Sequence, residues 1–355
     1  PHAYDQGGHV RDVGIKRFDN PEGKKSQGTD MKAEILTILK DTDGYVSGQE
    51  LCERFGVSRT AVWKAMNQLK KEGYEIESVQ NKGYHLVKTP DILSKNELVS
   101  IRKTKWVGTE ICYFDVTDST NTQAKSLGEG DAPNGTLVVA GKQESGRGRR
   151  GRSFESPAGT GIFMTLLLRP EIEPQNASML TLVSALAVAK GIEHMVDLPV
   201  QIKWPNDIVI NGKKVCGILT EMSAQMDYVN YIVIGIGINV GNEEFPEEIK
   251  DVATSIYLES GKHVNRAMLI EKIWEEFEDY YELYEKTQDL SSLVKEYDSY
   301  LVNRGQKVRV LDSKEPYEGK AMGITDRGEL IVDTWEARRL VSAGEVSVRG
   351  VYGYV

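Results

Sequence analysis

Seven consecutive residues, Gly146-Arg147-Gly148-Arg149-Arg150-Gly151-Arg152, set four arginines among three glycines in a chain of formal net charge −9. Each guanidinium presents a planar fork of donors matched to carboxylate or phosphate oxygens, and glycine lets the backbone approach a ligand or take positive φ. The heptad can wrap a phosphorylated anion; read alone, it fits equally a solvated Arg-Gly loop that adheres to nucleic acid. Three other clusters bear on the choice. Asp118-Ser119-Thr120-Asn121 offers hydroxyls, an amide and helix-start N–H groups to an acceptor-rich ligand, or is an ordinary N-cap. Lys203-Trp204-Pro205-Asn206-Asp207 ends an apolar run with a lysine, either a desolvated cation or a surface residue before a proline turn. Gly235-Ile236-Gly237-Ile238-Asn239 lies within a strand-like run and leads into no helix, which makes it a poor nucleotide fingerprint. Its glycines suit close approach by a ligand or a neighbouring strand.

The elements that would carry these clusters form an α/β pattern. Strands are predicted at Ile111 to Asp115, Thr136 to Ala140, Gly161 to Leu168, Val200 to Trp204, Val215 to Met222 and Val229 to Asn239, with a tight hairpin through Asn211-Gly212. Helices are expected around Thr122 to Leu127, Ser178 to Met195 and Ala267 to Glu285, and a mixed sheet with helices against one face is the simplest packing.

Composition bounds the rest. At 355 residues and 40 % hydrophobic, the chain can build two or three cored domains. The longest apolar stretch, Met179 to Ala189, is interrupted by Thr181 and Ser184 and falls short of the ~20 residues that span a membrane, so it reads as a buried helix and no membrane partner is expected. Cys52, Cys112 and Cys216 suggest neither a disulfide framework nor a structural metal, and a reducing cytoplasm fits them best. Residues 1–30 are polar with no apolar h-region, and are expected to be a disordered extension or cloning remnant ahead of a natural start at Met31.

Residues 31–90 read as three helices and a hairpin. Ser47-Gly48-Gln49-Glu50 resembles a capping box, and Ser58 can cap a third helix with Ala61, Val62, Ala65, Met66 and Leu69 on its apolar face. The same helix carries Arg59, Lys64, Lys70 and Lys71 and no acidic residue between Ser58 and Lys71. With two strands about Asn81-Lys82-Gly83, this is the pattern of a winged helix-turn-helix. Ser58, Arg59, Thr60, Lys64, Asn67 and Lys82 are its DNA-binding candidates, while a protein-contact scaffold is the other reading. Residues 302–355 read as short strands with glycine turns, which suggests a small SH3-like β-barrel. The fold class expected is thus α+β multidomain, with a mixed-sheet domain over 91–301 between the two small ones.

The order of these clusters resembles the biotin protein ligase family. The resemblance rests on Asp118 to Asn121, Gln143 to Arg152 with Ser156-Pro157, Lys203 to Asp207, Gly217-Ile218-Leu219 with Glu221, and Gly235 to Asn239. It spans Met31 to the C-terminus and, with the winged helix, is similar to the bifunctional subclass that is both ligase and biotin-operon repressor. Phe154 departs from the family pattern Arg-x-Trp-x-Ser-Pro, keeping an aromatic face for adenine.

The resemblance implies attack of the biotin carboxylate on the ATP α-phosphate to give biotinyl-5′-adenylate. The biotinyl group then passes to a lysine of the biotin carboxyl carrier protein of acetyl-CoA carboxylase, or of another biotin-accepting domain. It implies biotin contacts from Ser119, Thr120, Asn121, Gln143, Arg147, Gly148, Arg149, Lys203 and Gly217, and ATP or adenylate contacts from Arg147, Arg149, Arg150, Arg152, Phe154, Asn206 and Asn239. Lys203, Arg149 and Arg152 would be catalytic, with Mg²⁺ held mainly by the ATP phosphates. Double-stranded operator DNA and a second copy of the chain, joined on ligand binding, are the other implied partners. The rivals are a lipoate or octanoate ligase of similar fold and a repressor that senses biotin without catalysis.

Overall fold

The computed structural model describes residues 26–311, 315–343, 347–350 and 354–355. The expected extension over residues 1–25, and residues 312–314, 344–346 and 351–353 of the segment expected to be a barrel, lie outside them.

The N-terminal module is built from α1 (Ser26–Asp41), α2 (Gly48–Phe55), α3 (Arg59–Lys71) and the antiparallel hairpin β1 (Glu75–Val79) and β2 (Gly83–Lys88). Helix α1 begins ahead of Met31, so the end of the expected extension is helical. Ser47 Oγ accepts from Gln49 N at 3.2 Å, a one-sided cap rather than a box closed on Glu50. Ser58 Oγ accepts from Ala61 N, also at 3.2 Å. One face of α3 is buried through Val62, Ala65, Met66 and Leu69 against Ile35, Leu36 and Leu51. The hairpin docks where Val46 bridges Tyr84; a Cβ on Gly83 (φ 115°) would come within 2.0 Å of Val46 O, so glycine is required there.

Helix α4 (Lys95–Ile101), capped by Ser94, ties this module to the next domain by packing on α1. Its Glu97 is buried and receives Lys40 Nζ at 2.7 Å and the Tyr74 hydroxyl at 2.5 Å.

Seven strands form the central sheet in the order β3-β4-β5-β9-β8-β7-β6. They are β3 (Ile111–Phe114), β4 (Thr136–Ala140), β5 (Gly161–Leu168), β6 (Val200–Lys203), β7 (Asp207–Ile210), β8 (Lys213–Ala224) and β9 (Val229–Asn239). Only β3 and β4 pair in parallel. Asn211 (φ 49°) and Gly212 (φ 76°) make the tight β7–β8 turn that their types require.

Alternation along β9 separates two faces. Ile232, Ile234, Ile236 and Ile238 enter the main core, where they meet α6 (Met179–Glu193) and α8 (Arg266–Thr287), which pack against each other. Helix α6 is buried nearly all round, which explains its continuous apolar sequence. The expectation of helices on one face needs correction: α5 (Thr120–Glu129) lies on the other. There Ala124 packs with Val138, Leu167, Tyr231 and Val233, because β4, β5 and β9 are apolar on both sides. Beyond Val233 that second face changes to Gly235, which meets Asn121 in the first turn of α5, and Gly237, which meets the ring of Phe154.

After α7 (Ile256–Ser260), α8 and α9 (Val294–Tyr300), the chain forms β10 (Lys307–Leu311), β11 (Tyr317–Ile324), β12 (Leu330–Asp333), β13 (Arg338–Val341) and β14 (Ser347–Gly350). They make one antiparallel sheet in the order β13-β12-β11-β10-β14. Trp204 fastens it to β6 through its indole N–H to Gly328 O at 3.0 Å. Among the described residues no helix is long and apolar enough to cross a membrane.

Candidate active site and nucleic-acid interface

This glycine-bearing part of the sheet is the floor of a cleft. Glycines make that floor: a Cβ on Gly237 would lie 2.7 Å from the Phe154 ring, and one on Gly235 2.0 Å from Asn121 Oδ1. At one end stands the start of α5. Asp118 Oδ1 accepts from Ser119 N at 2.6 Å, while the Ser119 hydroxyl makes no capping bond and the residue is buried at the cleft. Burial alone would raise the Asp118 carboxyl, but its hydrogen bonds to Ser119, Gln123 and Thr117 hold it below the usual carboxylate range.

The adjoining wall is one connected set of bonds. Gln143 Oε1 accepts from Thr120 N at 2.8 Å and from its hydroxyl at 3.1 Å; its Nε2 donates to Ser156 Oγ at 2.9 Å. Thr165 Oγ1 donates to Asn121 Oδ1 at 2.7 Å and lies 2.8 Å from Thr120 Oγ1. Asn121 Nδ2 in turn reaches Glu221 Oε2 at 2.9 Å, and Lys125 lies 2.6 Å from that carboxylate's other oxygen. Buried polar groups so paired hold one geometry.

The Arg-Gly segment folds over this wall as a small loop. Phe154 N donates to Gly146 O and Gly148 N to Arg152 O, with Arg150 (φ 58°) and Gly151 (φ 72°) turning the chain. Arg149 is half-buried, donates to Asn206 Oδ1 at 3.0 Å and also bonds Ala343 O of the C-terminal sheet. Phe154 lies over Gly237, edge-on to Phe163 with ring centres 6.5 Å apart. Asn206 is held by exchanging bonds with the Ile218 backbone, both at 2.9 Å.

One row of residues crosses five strands on this face: Phe163, Gly237, Gly217, Asp207 and Lys203 are successive register partners. Strand spacing puts Lys203 about 10 Å from Gly217. Lys203 is 5 % exposed, and burial pushes its ammonium down to about 8 although Asp207 opposes the shift. Asp207 Oδ1 is 2.6 Å from Lys214 Nζ; burial would raise its carboxyl, but Lys214, Tyr354 and Lys203 together hold it low.

The expected residues therefore divide. Ser119, Thr120, Asn121, Gln143, Arg147, Gly148, Arg149, Phe154, Asn206 and Gly217 line the one cleft. Lys203 sits at the end of the sheet row, beneath the ring of Tyr354, rather than in the cleft lining. Arg150 lines a neighbouring cavity, Arg152 is exposed, and Asn239 is buried with its amide on Thr254 O at 3.1 Å. Thr165, Lys214 and Tyr354 join the site without being among the expected residues. Nothing local in the sequence marks them; Lys214 meets Gly217, three residues on, only in the folded sheet.

On the N-terminal module, Arg59, Thr60 and Lys64 are exposed on α3 and Asn67 is half-buried. Lys64, Asn67, Lys70 and Lys71 line a shallow groove with Trp63, itself 57 % exposed. Arg59 donates to Gln49 at 3.0 Å, and Lys82 stands 5.6 Å over the Tyr45 ring at the wing. Ser58 already spends its hydroxyl on the cap. Among the described residues no three His, Cys, Asp or Glu side chains gather to hold a metal.

Residues 113–239 match the biotin/lipoate A/B protein ligase family, residues 32–85 an HTH domain, and residues 305–349 the biotin protein ligase C-terminal domain. The chain is 44 % identical to the bifunctional ligase/repressor BirA of Bacillus spizizenii, over 90 % of this chain and 98 % of that one. It is 43 % identical to that of Bacillus subtilis over the same shares. A solved biotin protein ligase from Aquifex aeolicus, in complex with biotin and ATP, superposes with a TM-score of 0.61 at 31 % identity, covering 68 % of this chain and 99 % of that one. The mixed sheet, the glycine-floored cleft and the winged helix agree with these likenesses along almost the whole chain: it belongs to the BirA family of bifunctional biotin ligase/repressors.

Proposed function

We propose that the glycine-floored cleft activates biotin with ATP and passes it to a lysine of a carboxylase's biotin carboxyl carrier protein or another biotin-accepting domain. The observation that carries this reading is the convergence of Ser119, Thr120, Asn121, Gln143, Arg147, Arg149 and Phe154 on one cleft. A ureido group needs several paired donors and acceptors, and each one left unpaired costs about 1–3 kcal/mol. The Ser119 hydroxyl, unused by the cap, the second acceptor position of Asn121 Oδ1 and the second N–H of Gln143 Nε2 supply them, in a wall whose other bonds are already made.

In adenylation the biotin carboxylate oxygen attacks the α-phosphorus and pyrophosphate leaves. Two anions must meet, so fixed cations lower the barrier. Arg149 and Lys203 flank the reacting end; Arg147, Arg150 and Arg152 bring further charge on a loop that can close on the nucleotide and exclude water. Phe154 offers adenine a face, and Asn206 and Asn239 are further contacts to the adenylate. In transfer the acceptor amine attacks the acyl carbon and AMP leaves; no side chain of the enzyme need be a nucleophile. The two carboxylates beside the cleft, Asp207 and Glu221, are engaged by Lys214 and Lys125, so they form no Mg²⁺ cage and Mg²⁺ would arrive on the ATP phosphates.

The second role is repression. Arg59, Thr60, Lys64 and Asn67 on α3, with Ser58 at its start and Lys82 on the wing, face double-stranded operator DNA. A homodimer formed with the adenylate bound would contact two half-sites, in the cytoplasm where the acceptor resides. Incubation with Mg-ATP, biotin and a purified carrier domain tests the ligase: the carrier should gain one biotinyl group, and an unmodified carrier refutes it.

A further inference from the structure

The tail of the chain returns to the catalytic end of the sheet. Lys203 Nζ lies 3.5 Å from the centre of the Tyr354 ring, and the Tyr354 hydroxyl donates to Asp207 Oδ2 at 2.5 Å. Val355 follows on to the β7–β8 turn, 3.5 Å from where a Cβ of Gly212 would stand. Asp207 is thus engaged twice, by Tyr354 and by Lys214. Lys203, its register partner directly across β6 and β7, forms no ion pair with it among the described residues.

This arrangement addresses a problem the site poses. A lysine kept for an incoming anion must not be spent on the nearest carboxylate, and a buried ammonium must not stand bare. We infer that Tyr354 is a positioning residue for adenylation: its ring carries the Lys203 ammonium while its hydroxyl helps saturate Asp207, so that Lys203 stays available to the biotin carboxylate and the α-phosphate. An aromatic face attracts an ammonium without neutralising it, and releases it to a stronger anion without breaking a salt bridge. The last residues of the C-terminal domain therefore complete the site on the central one.

The inference rests on the role given to Lys203, and the experiment separates the two. Single-turnover formation of biotinyl-adenylate is followed in the full-length chain for wild type, Lys203→Ala, Tyr354→Phe, Tyr354→Leu and Tyr354→Ala, with the melting temperature of each as a check on folding. Tyr354→Leu fills similar space without a π face and should lose about tenfold or more in rate, as should Tyr354→Ala; Tyr354→Phe keeps the ring but leaves Asp207 short of one donor, and should fall between wild type and Tyr354→Leu. A merely structural tail would show Phe and Leu alike. Equal losses in Phe and Leu, or wild-type rates in both Leu and Ala while Lys203→Ala is inactive, overturn the role of Tyr354 alone. An active Lys203→Ala overturns the reading of the site beneath it.

Discussion

Asn121 Oδ1 occupies the space that any side chain at position 235 would need, 2.0 Å from where its Cβ would stand. A helix start and a sheet floor therefore fit each other through a missing side chain. The amide cannot retreat easily: Thr165, Leu219 O and Glu221 all bond it. Gly235→Ala should cost about 1–3 kcal/mol of stability as an overpacked site. It should also weaken biotin binding more than about tenfold, since a misplaced wall leaves ligand groups unpaired. Denaturant unfolding and calorimetric titration read the two effects; unchanged affinity would contradict the fit.

Lys203→Ala should lower the adenylation rate by on the order of 10² or more, as removal of one fixed charge or donor at a developing anion does. The pH dependence has a definite sign. Burial lowers the folded ammonium from 10.5 to about 8, so between those values the unfolded chain binds the proton more tightly than the native one, and this group's contribution to stability rises with pH across that window. Catalysis needs the charged form, so kcat/KM for biotin should fall as pH rises through about 8. A profile flat well above 8 would remove the ammonium from the mechanism.

Lys64 and Asn67 line the basic groove of α3 and should separate by salt dependence. Lys64→Ala should weaken operator binding and reduce the salt slope by about 1, as loss of one phosphate contact does; Asn67→Ala should weaken binding with little change in slope. Footprints unchanged in both variants would reassign α3 to protein contact.

Glu97 joins the two domains through Lys40 and Tyr74. Burial lowers the Lys40 ammonium against the pull of Glu97, so an alanine here leaves a poorly solvated cation without its partner. Glu97→Ala should destabilise the module by about 3 kcal/mol, and Lys40→Met with Glu97→Leu should recover most of that loss. A denaturant midpoint unmoved in Glu97→Ala would show that the pair is not a fastening.

Several elements were legible because their signals were local. Strands β4, β5 and β9 carry long apolar runs between turn residues, and their bounds follow from those runs. The Asn211-Gly212 turn and the Ser58 cap follow from backbone chemistry. The cleft residues were legible as clusters, and only the family resemblance implied that they meet on one ligand. What escaped depends on packing at a distance. The placement of α5 on the second face is decided by Val138, Leu167 and Val233, whose double-sided burial looks from sequence like any other apolar strand. The start of α1 ahead of Met31 has no composition signal. Lys214 reads as part of a polar turn, and Tyr354 has no neighbour in sequence to explain it; only the folded chain brings both beside Asp207.

The most direct test of the account is mass spectrometry of the protein incubated with Mg-ATP and either biotin or octanoate. Biotinyl-adenylate formed with biotin, and little or no octanoyl-adenylate with octanoate, is the predicted result. Octanoyl-adenylate alone, or no adenylate with either acid, would contradict it.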